Sequence, residues 1–182
     1  ADKRLRAALR EGEQQVLRVA TKVLAPSRHA ARLLSERTDP RRVELWPRAV
    51  DLGVFSPPSV ELSLDDRRTV LVVGGCEGPP GAAVALPLLT ALAAALPAER
   101  TSLRLAGAPG AGGGALGEAL EAAGLSGRVS LLDIDEPARL AGALCAADVV
   151  VVPSRAEQGV EPWAVPFRAL EAMACQRAVV LT

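Results

Sequence analysis

The sequence is poor in the large side chains that usually fill a protein core. Its 182 residues include no tyrosine, two phenylalanines, two tryptophans and one methionine, although 49% of the residues are hydrophobic. The core must therefore be packed mainly from alanine, valine and leucine, which suits helices laid on a parallel sheet. The chain length predicts one domain, or one domain with a fragment of another.

Cysteine and histidine are also scarce. Cys76, Cys145 and Cys175 are widely spaced, form no Cys-x-x-Cys pair and have a single histidine to assist them. This pattern predicts no metal site, and it favours a reduced, cytoplasmic setting over a disulfide framework.

No apolar run is long enough for a membrane span. Residues 82–96 are apolar, but this run of about 15 residues is shorter than a spanning helix and is closed by Pro97. The start of the chain, rich in Arg and Glu, lacks the apolar core of a secretory signal. Both absences agree with a cytoplasmic protein.

The chain also lacks net charge, since 21 basic residues balance 21 acidic ones. A nucleic-acid-binding protein is normally strongly basic, so the composition argues against a nucleic-acid partner. The charges are nevertheless uneven, because residues 1–50 hold twelve Lys or Arg and six Asp or Glu. This segment suits peripheral contact with the anionic inner face of a membrane, and solvated helix faces are the alternative.

The pattern of the chain changes near residue 69. Residues 1–55 contain two helix patterns and two short strands, and residues 56–68 form a linker that contains Pro and Ser. In residues 69–182, strands that are apolar on both faces alternate with helices. This alternation predicts an α/β domain with a doubly wound, parallel, Rossmann-like sheet, whose ligands bind beyond the carboxyl ends of the strands. The last strand has no closing helix, so self-association through an exposed sheet edge is also expected.

Two glycine-rich loops are candidate phosphate sites. Residues 74–81 (GGCEGPPG) follow the first strand of the alternating segment, so the amides of Gly74 and Gly75 are placed to receive a phosphate. The loop contains no cation, and a purely structural turn is an equal alternative. Residues 112–117 (GGGALG) match G-x-G-x-x-G, with Asp133 and Asp135 about 20 positions onward, which leaves a dinucleotide-binding fold as a weaker alternative.

Polar groups follow a buried strand in the last part of the chain. Residues 147–155 (ADVVVVPSR) end with Ser154 and Arg155, and residues 169–175 (ALEAMAC) set Glu171 among small residues. Small residues let a helix approach closely, and one carboxylate can accept both hydroxyls of a ribose. A surface glutamate on an amphipathic helix is the alternative.

These two segments together resemble the donor-site signature of family 4 glycosyltransferases, which have the GT-B fold. Residues 22–27 (KVLAPS) and 45–57 (LWPRAVDLGVFSP) are similar to the last strand of that family's N-terminal domain and to the crossing into its C-terminal domain. The resemblance covers nearly the whole chain. It implies a partial, nucleotide-sugar-binding C-terminal domain with a residual piece of the N-terminal domain.

The resemblance implies a retaining transfer of a sugar from a nucleoside-diphosphate sugar to a lipid or saccharide acceptor, without a metal or other cofactor. Glu171 matches the family's ribose-binding glutamate. The glutamate that contacts the transferred sugar would fall at Trp163, and Glu161 fills this role if the loop has gained two residues. Base contacts, which come largely from backbone in such sites, are expected near Leu132 and Ile134.

The sequence departs from the family at the diphosphate. The family places an Arg and a Lys after the first strand, where this chain has Gly75 and Pro80 or Gly81. Losing two charge-assisted hydrogen bonds of roughly 1.5–3 kcal/mol each would weaken donor binding by about two to four powers of ten. A non-catalytic remnant or partner-binding module is therefore an alternative function, and a nucleotide-sugar epimerase is a weaker one. The candidate replacement cations are Arg48, Arg155 and Arg168.

The helix that carries Glu171 is predicted to end in an unusual cap. Residues 176–178 (QRA) stand where the family commonly turns with Gly and Pro. A glutamine in the left-handed conformation costs about 1 kcal/mol relative to glycine, which the fold can tolerate.

Overall fold

A computed structural model describes residues 3–58, 67–74, 81–107, 113–153 and 165–182 of the chain. The described residues fall into two compact units. The first contains residues 3–49 and Val165, and the second contains the other described residues from Val50 onward.

The first unit is built on a two-stranded parallel sheet. Its elements are α1 (Lys3–Val19), β1 (Val23–Ala25), α2 (Arg28–Ser35), a 3-10 turn (Pro40–Arg42) and β2 (Val43–Leu45). Ser27 caps α2, because its hydroxyl accepts a 3.0 Å hydrogen bond from the Ala30 N–H. Arg37 donates two 2.7 Å hydrogen bonds to Glu13 and so ties α1 to the segment after α2.

The second unit alternates strands and helices, as the sequence predicts. Its five strands are all parallel and lie in the order β5-β4-β3-β6-β7. The α/β class and the doubly wound, Rossmann-like sheet are therefore confirmed. The elements are β3 (Arg68–Val73), α3 (Gly81–Ala95), β4 (Thr101–Gly107), α4 (Gly113–Ala122), β5 (Val129–Asp133), α5 (Pro137–Cys145), β6 (Val149–Val152), α6 (Phe167–Ala174) and β7 (Ala178–Leu181).

The central strand β3 is covered on both faces, which explains its unbroken apolar sequence. Val70 and Val72 join a core cluster with residues of α3 and α4, whereas Leu71 and Val73 join a cluster with residues of α5 and α6. Successive side chains of a strand point to opposite faces, so both sets are buried at once. Apart from Phe55 and Cys175, the buried hydrophobic side chains of the described residues are alanine, valine and leucine, as predicted.

The boundary between the two units falls after Ala49, within residues 45–57, the segment that resembles the crossing between domains. Val50 and Phe55 belong to the sheet unit, and the Phe55 side chain is 6% exposed in the core cluster of α5 and α6. A single apolar residue in a loop has no periodicity that would reveal its burial.

The apolar run at residues 82–96 forms most of α3. Ala85 and Leu89 of this helix are fully buried in the core of the sheet unit. In the part of the chain that the structure describes, no helix is long and apolar enough to cross a membrane.

The predicted left-handed cap after α6 is confirmed. Gln176 has a φ of 56°. Its N–H donates to the Met173 carbonyl at 2.9 Å, and the Arg177 N–H donates to the Ala172 carbonyl at 3.0 Å. These bonds satisfy carbonyl groups that the end of the helix would otherwise leave unpaired.

Candidate functional site

The strand order of the sheet unit singles out one crevice. β3 and β6 are neighbours, but the chain leads from β3 to β4 on one side and from β6 to β7 on the other. The connections that leave these two strands therefore diverge at their carboxyl ends. Open parallel sheets bind ligands at such a point, so the carboxyl edge of β3 and β6 is the candidate site.

Gly74 begins the loop that follows β3. Its φ is 86°, and its N–H donates to the Ala106 carbonyl at 3.3 Å. An added Cβ would meet no atom within 4 Å. The backbone conformation, rather than a lack of space, thus requires glycine at this position. Gly75, the second predicted phosphate contact, lies outside the described residues.

The predicted contacts that follow β6 also lie outside the described residues. β6 ends at Val152, and after Pro153 the next described residue is Val165. Ser154, Arg155 and Glu161 fall between them. Their roles therefore stay predictions.

Glu171 lies on α6, the helix that follows β6. Ala169 and Ala172, on either side of it, are 1% and 0% exposed and pack α6 into the core. The Glu171 side chain itself is 13% exposed. Its Oε2 atom accepts a 2.9 Å hydrogen bond from Nη1 of Arg168. The glutamate is thus held close to the sheet by its small neighbours and paired within its own helix.

The Arg168–Glu171 pair determines how the carboxylate can be used. The Arg168 side chain is 42% exposed, so the outer partner faces solvent and the inner partner is largely covered. Among the described residues, Oε1 of Glu171 accepts no hydrogen bond, which leaves one carboxylate oxygen for a ligand. Ribose binding at Glu171 stays a prediction, and a ribose bound there would have to share the carboxylate with Arg168 or displace the guanidinium. The sequence names Arg168 only as one of three candidate cations, although the i, i+3 spacing permits this pairing.

Leu132 and Ile134 lie at the carboxyl end of β5, at one edge of the sheet. Leu132 pairs with Ala106 of β4. Both side chains are partly buried against the core cluster of α5 and α6. The backbone contact with a base that the resemblance implies for these residues stays a prediction.

Arg48, another of the three candidate cations, lies in the first unit. Its Nη1 donates to the Val165 carbonyl at 3.3 Å, within the first unit. One nitrogen of the Arg48 guanidinium is therefore hydrogen-bonded to the backbone.

The G-x-G-x-x-G run lies next to a different strand. Gly112 lies outside the described residues, and the rest of the run opens α4 (from Gly113), which follows β4; β4 is not one of the two strands at which the order reverses. Asp135, one of the acidic residues that a dinucleotide site would use, is paired with Arg139 at 2.9 Å. The hydrogen bond from Arg139 lowers the pKa of Asp135. The geometry therefore favours a site at β3 and β6 over the dinucleotide alternative.

Two of the three cysteines are described, and neither is in a disulfide. Cys145 donates to the Ser56 carbonyl at 3.3 Å, and Cys175 is buried. Burial, with a smaller effect of the neighbouring Cys145 thiol, raises the pKa of Cys175 to about 12. Within the described ranges, no group of three or more His, Cys, Asp or Glu side chains could hold a metal ion.

Comparison with known proteins identifies the fold and the family. Residues 67–182 match the family described as glycosyl transferases group 1. The chain belongs to this family. It is 30% identical to a D-inositol 3-phosphate glycosyltransferase of Rhodococcus opacus (strain B4), over 96% of this chain and 40% of the relative. It is 33% identical to one of Mycobacterium sp. (strain KMS), over 93% of this chain and 38% of the relative. This group 1 chain thus spans about two fifths of the length of these curated relatives.

Solved structures share the fold of this group 1 chain. Sucrose-phosphate synthase of Thermosynechococcus elongatus has a TM-score of 0.71 and 27% identity, over 93% of this chain and 42% of that one. HepE of Anabaena, solved in complex with UDP and glucose, has a TM-score of 0.68 and 19% identity, over 95% and 47%. The predicted relation to part of a GT-B glycosyltransferase is therefore confirmed.

Proposed function

We propose that this chain is the donor-binding part of a glycosyltransferase. The complete protein would transfer a sugar, with retention, from a nucleoside-diphosphate sugar to a lipid or saccharide acceptor. The main observation behind the proposal is the position of Glu171 on α6, the helix that follows β6. The strand order reverses between β6 and its neighbour β3. Membership of the group 1 family supports sugar transfer, and the UDP complex of HepE supports a nucleotide donor.

In this proposal each part of the donor meets a different part of the sheet edge. The ribose lies at Glu171, and the base lies at the backbone of Leu132 and Ile134. The transferred sugar contacts Glu161. The remaining predicted donor contacts, which include those to the diphosphate, are Gly74, Gly75, Ser154 and Arg155.

The chemistry requires charge stabilisation at the diphosphate. The bond from the anomeric carbon to the diphosphate oxygen breaks, and the acceptor oxygen bonds to the same carbon and gives up its proton to the departing diphosphate. Negative charge develops on that leaving group. Fixed amide dipoles and cations near it lower the barrier, because they need no rearrangement as the charge appears.

Saturation-transfer NMR of the chain with UDP, GDP and ADP, their sugar conjugates and NAD tests the donor site. We expect one sugar nucleotide to bind and Glu171→Ala to weaken it by about tenfold or more, since hydrogen bonds to a charged group contribute roughly 1.5–3 kcal/mol. Glu121→Ala is the matched control, because Glu121 is an exposed glutamate in the last turn of α4. Binding of NAD without any sugar nucleotide would instead support the dinucleotide alternative.

The loop after β3 favours a second candidate, a non-catalytic module of the same fold. Residues 74–81 contain Glu77 and no Lys or Arg. Sugar transfer by this chain would exclude that candidate, and D-inositol 3-phosphate is the first acceptor to try because the relatives are named for it. A folded chain that binds no nucleotide would support it.

We also propose peripheral membrane contact through α1. Leu5, Leu9 and Val16 are 58%, 64% and 63% exposed, and their spacing places them on one face of the helix. The same helix carries five Lys or Arg and two Glu. Cosedimentation with phosphatidylglycerol vesicles, and its loss in Leu9→Glu, would support a lipid contact. Equal cosedimentation of both proteins would indicate that this stripe packs against protein.

A further inference from the structure

The described cations at the carboxyl edge of the sheet are few. Among the described residues, two Lys or Arg side chains lie in the first turn of a helix that starts from this edge: Arg139 of α5 and Arg168 of α6. Arg139 follows the edge strand β5 and pairs with Asp135. Arg168 follows β6, one of the two strands at the reversal of strand order.

Arg168 occupies a position that suits a phosphate. It is the second residue of α6 and lies one helical turn before Glu171, so the two side chains share a face of the helix. A guanidinium has five N–H donors, and among the described residues Arg168 uses one atom, Nη1, in a single hydrogen bond. The remaining donors of the 42% exposed side chain are open to a ligand. The positive end of the α6 dipole adds to the charge at this point.

A carboxylate and a diphosphate in the same site repel each other. Residues 74–81, the segment that follows β3, contain no Lys or Arg. A cation between the ribose-binding carboxylate and the phosphates removes this repulsion, and an Arg fork can bind both partners at once. Arg168 is already attached to the carboxylate.

We propose that Arg168 is the diphosphate-binding cation of the donor site and bridges Glu171 to the phosphates. This inference rests on the proposed donor-binding function. In the empty site Arg168 neutralises Glu171. When a donor binds, the guanidinium keeps its bond to Oε2 and directs its other N–H groups to the phosphate oxygens, while Oε1 accepts the ribose.

Isothermal titration calorimetry of the chain with UDP and with UMP tests the inference. If the NMR experiment shows that the chain binds a guanine or adenine nucleotide, GDP and GMP or ADP and AMP replace them. In Arg168→Gln we expect the affinity for the diphosphate to fall about 10- to 100-fold and the affinity for the monophosphate to fall much less. Arg168→Lys keeps the charge without the fork, so it should recover part of the preference for the diphosphate.

Two further variants complete the comparison. Arg68→Gln removes the 3.0 Å ion pair between Arg68 and Asp148, which lies at the amino ends of the strands. This variant should leave the ratio of the two affinities unchanged. Arg155→Gln removes the other sequence candidate after β6. A loss of diphosphate preference in Arg155→Gln but not in Arg168→Gln would overturn the inference.

The remaining outcomes separate the inference from the function on which it rests. If the folded wild-type chain binds no nucleoside diphosphate, the proposed function fails. If the chain binds one and Arg168→Gln leaves the ratio unchanged, the inference alone fails. An equal loss of both affinities would show that Arg168 only supports the fold of α6, which also overturns the inference.

Discussion

Asp148 and Thr69 exchange two hydrogen bonds at the amino edge of the sheet. The Thr69 N–H donates to Oδ2 of Asp148 at 2.8 Å, and the Asp148 N–H donates to the Thr69 carbonyl at 2.9 Å. Oδ1 of Asp148 also accepts a 3.0 Å hydrogen bond from Arg68. The carboxylate therefore joins β3 to the start of β6 at the end opposite the candidate site.

We expect Asp148→Ala to lower the free energy of unfolding by about 1–3 kcal/mol, because a hydrogen-bonded charge is lost and the Thr69 N–H loses its acceptor. Asp148→Asn should cost less, since its amide oxygen can still accept from Thr69. Urea unfolding followed by circular dichroism measures both changes. Equal losses for the two variants would show that the ion pair to Arg68, and not the bond to the backbone, holds the strands.

Gln176 and Gly124 occupy equivalent caps, and their substitution should have opposite effects. Their φ angles are 56° and 69°, after α6 and α4 respectively. A glycine adopts this conformation without the steric cost that a side chain adds. We expect Gln176→Gly to raise the free energy of unfolding by up to about 1 kcal/mol and Gly124→Ala to lower it by about 1 kcal/mol. Urea unfolding measures both.

Gln15→Gly is the control for the first of these variants, because Gln15 is an exposed residue inside α1. Glycine inside a helix is destabilising by roughly 0.5–1 kcal/mol, so the two Gln→Gly changes should differ in sign. A loss of stability at both positions would contradict the account of the cap.

The buried thiol of Cys175 should make stability depend on pH in the alkaline range. Burial raises its pKa from an ordinary value of 9.0 to about 12. Between these values the unfolded chain releases the proton while the folded chain keeps it. The folded state therefore loses stability as the pH rises from about 9 towards 12.

Urea midpoints of the wild type and Cys175→Ala, at about pH 8 and about pH 10.5, measure this effect. The wild type should lose more stability than the variant between the two conditions, because the variant lacks the titrating thiol. The comparison cancels the other groups that titrate in this range. Parallel losses in both proteins would show that the thiol makes no contribution.

The sheet was largely predictable from the sequence, because strands covered on both faces leave unbroken apolar runs such as residues 149–152. The bounds of the helices and strands were less predictable. The start of α4 at Gly113, for example, lies in a glycine-rich stretch that carries no helix start signal. The burial of Phe55 was not predictable, because that contact joins positions far apart in the chain.

The candidate site was predictable only in part. The small residues around Glu171 indicated that its helix lies close to the sheet, and the burial of Ala169 and Ala172 confirms this. The pairing of Glu171 with Arg168 is a choice among rotamers, which residue spacing permits but does not determine. The contacts predicted for Ser154 and Glu161 lie outside the described residues and stay predictions.

Substitution of Glu171 should weaken nucleotide binding with little effect on the free energy of unfolding. An ion pair within a helix contributes only about 0.3–0.5 kcal/mol, and the desolvation of a largely covered carboxylate offsets part of this. We therefore expect Glu171→Gln to change the free energy of unfolding by less than about 1 kcal/mol and to weaken nucleotide binding by about tenfold. Urea unfolding and calorimetry measure the two effects on the same preparation. A large loss of stability with unchanged binding would make Glu171 a structural residue of α6, and the ribose would then have to lie elsewhere on the sheet edge.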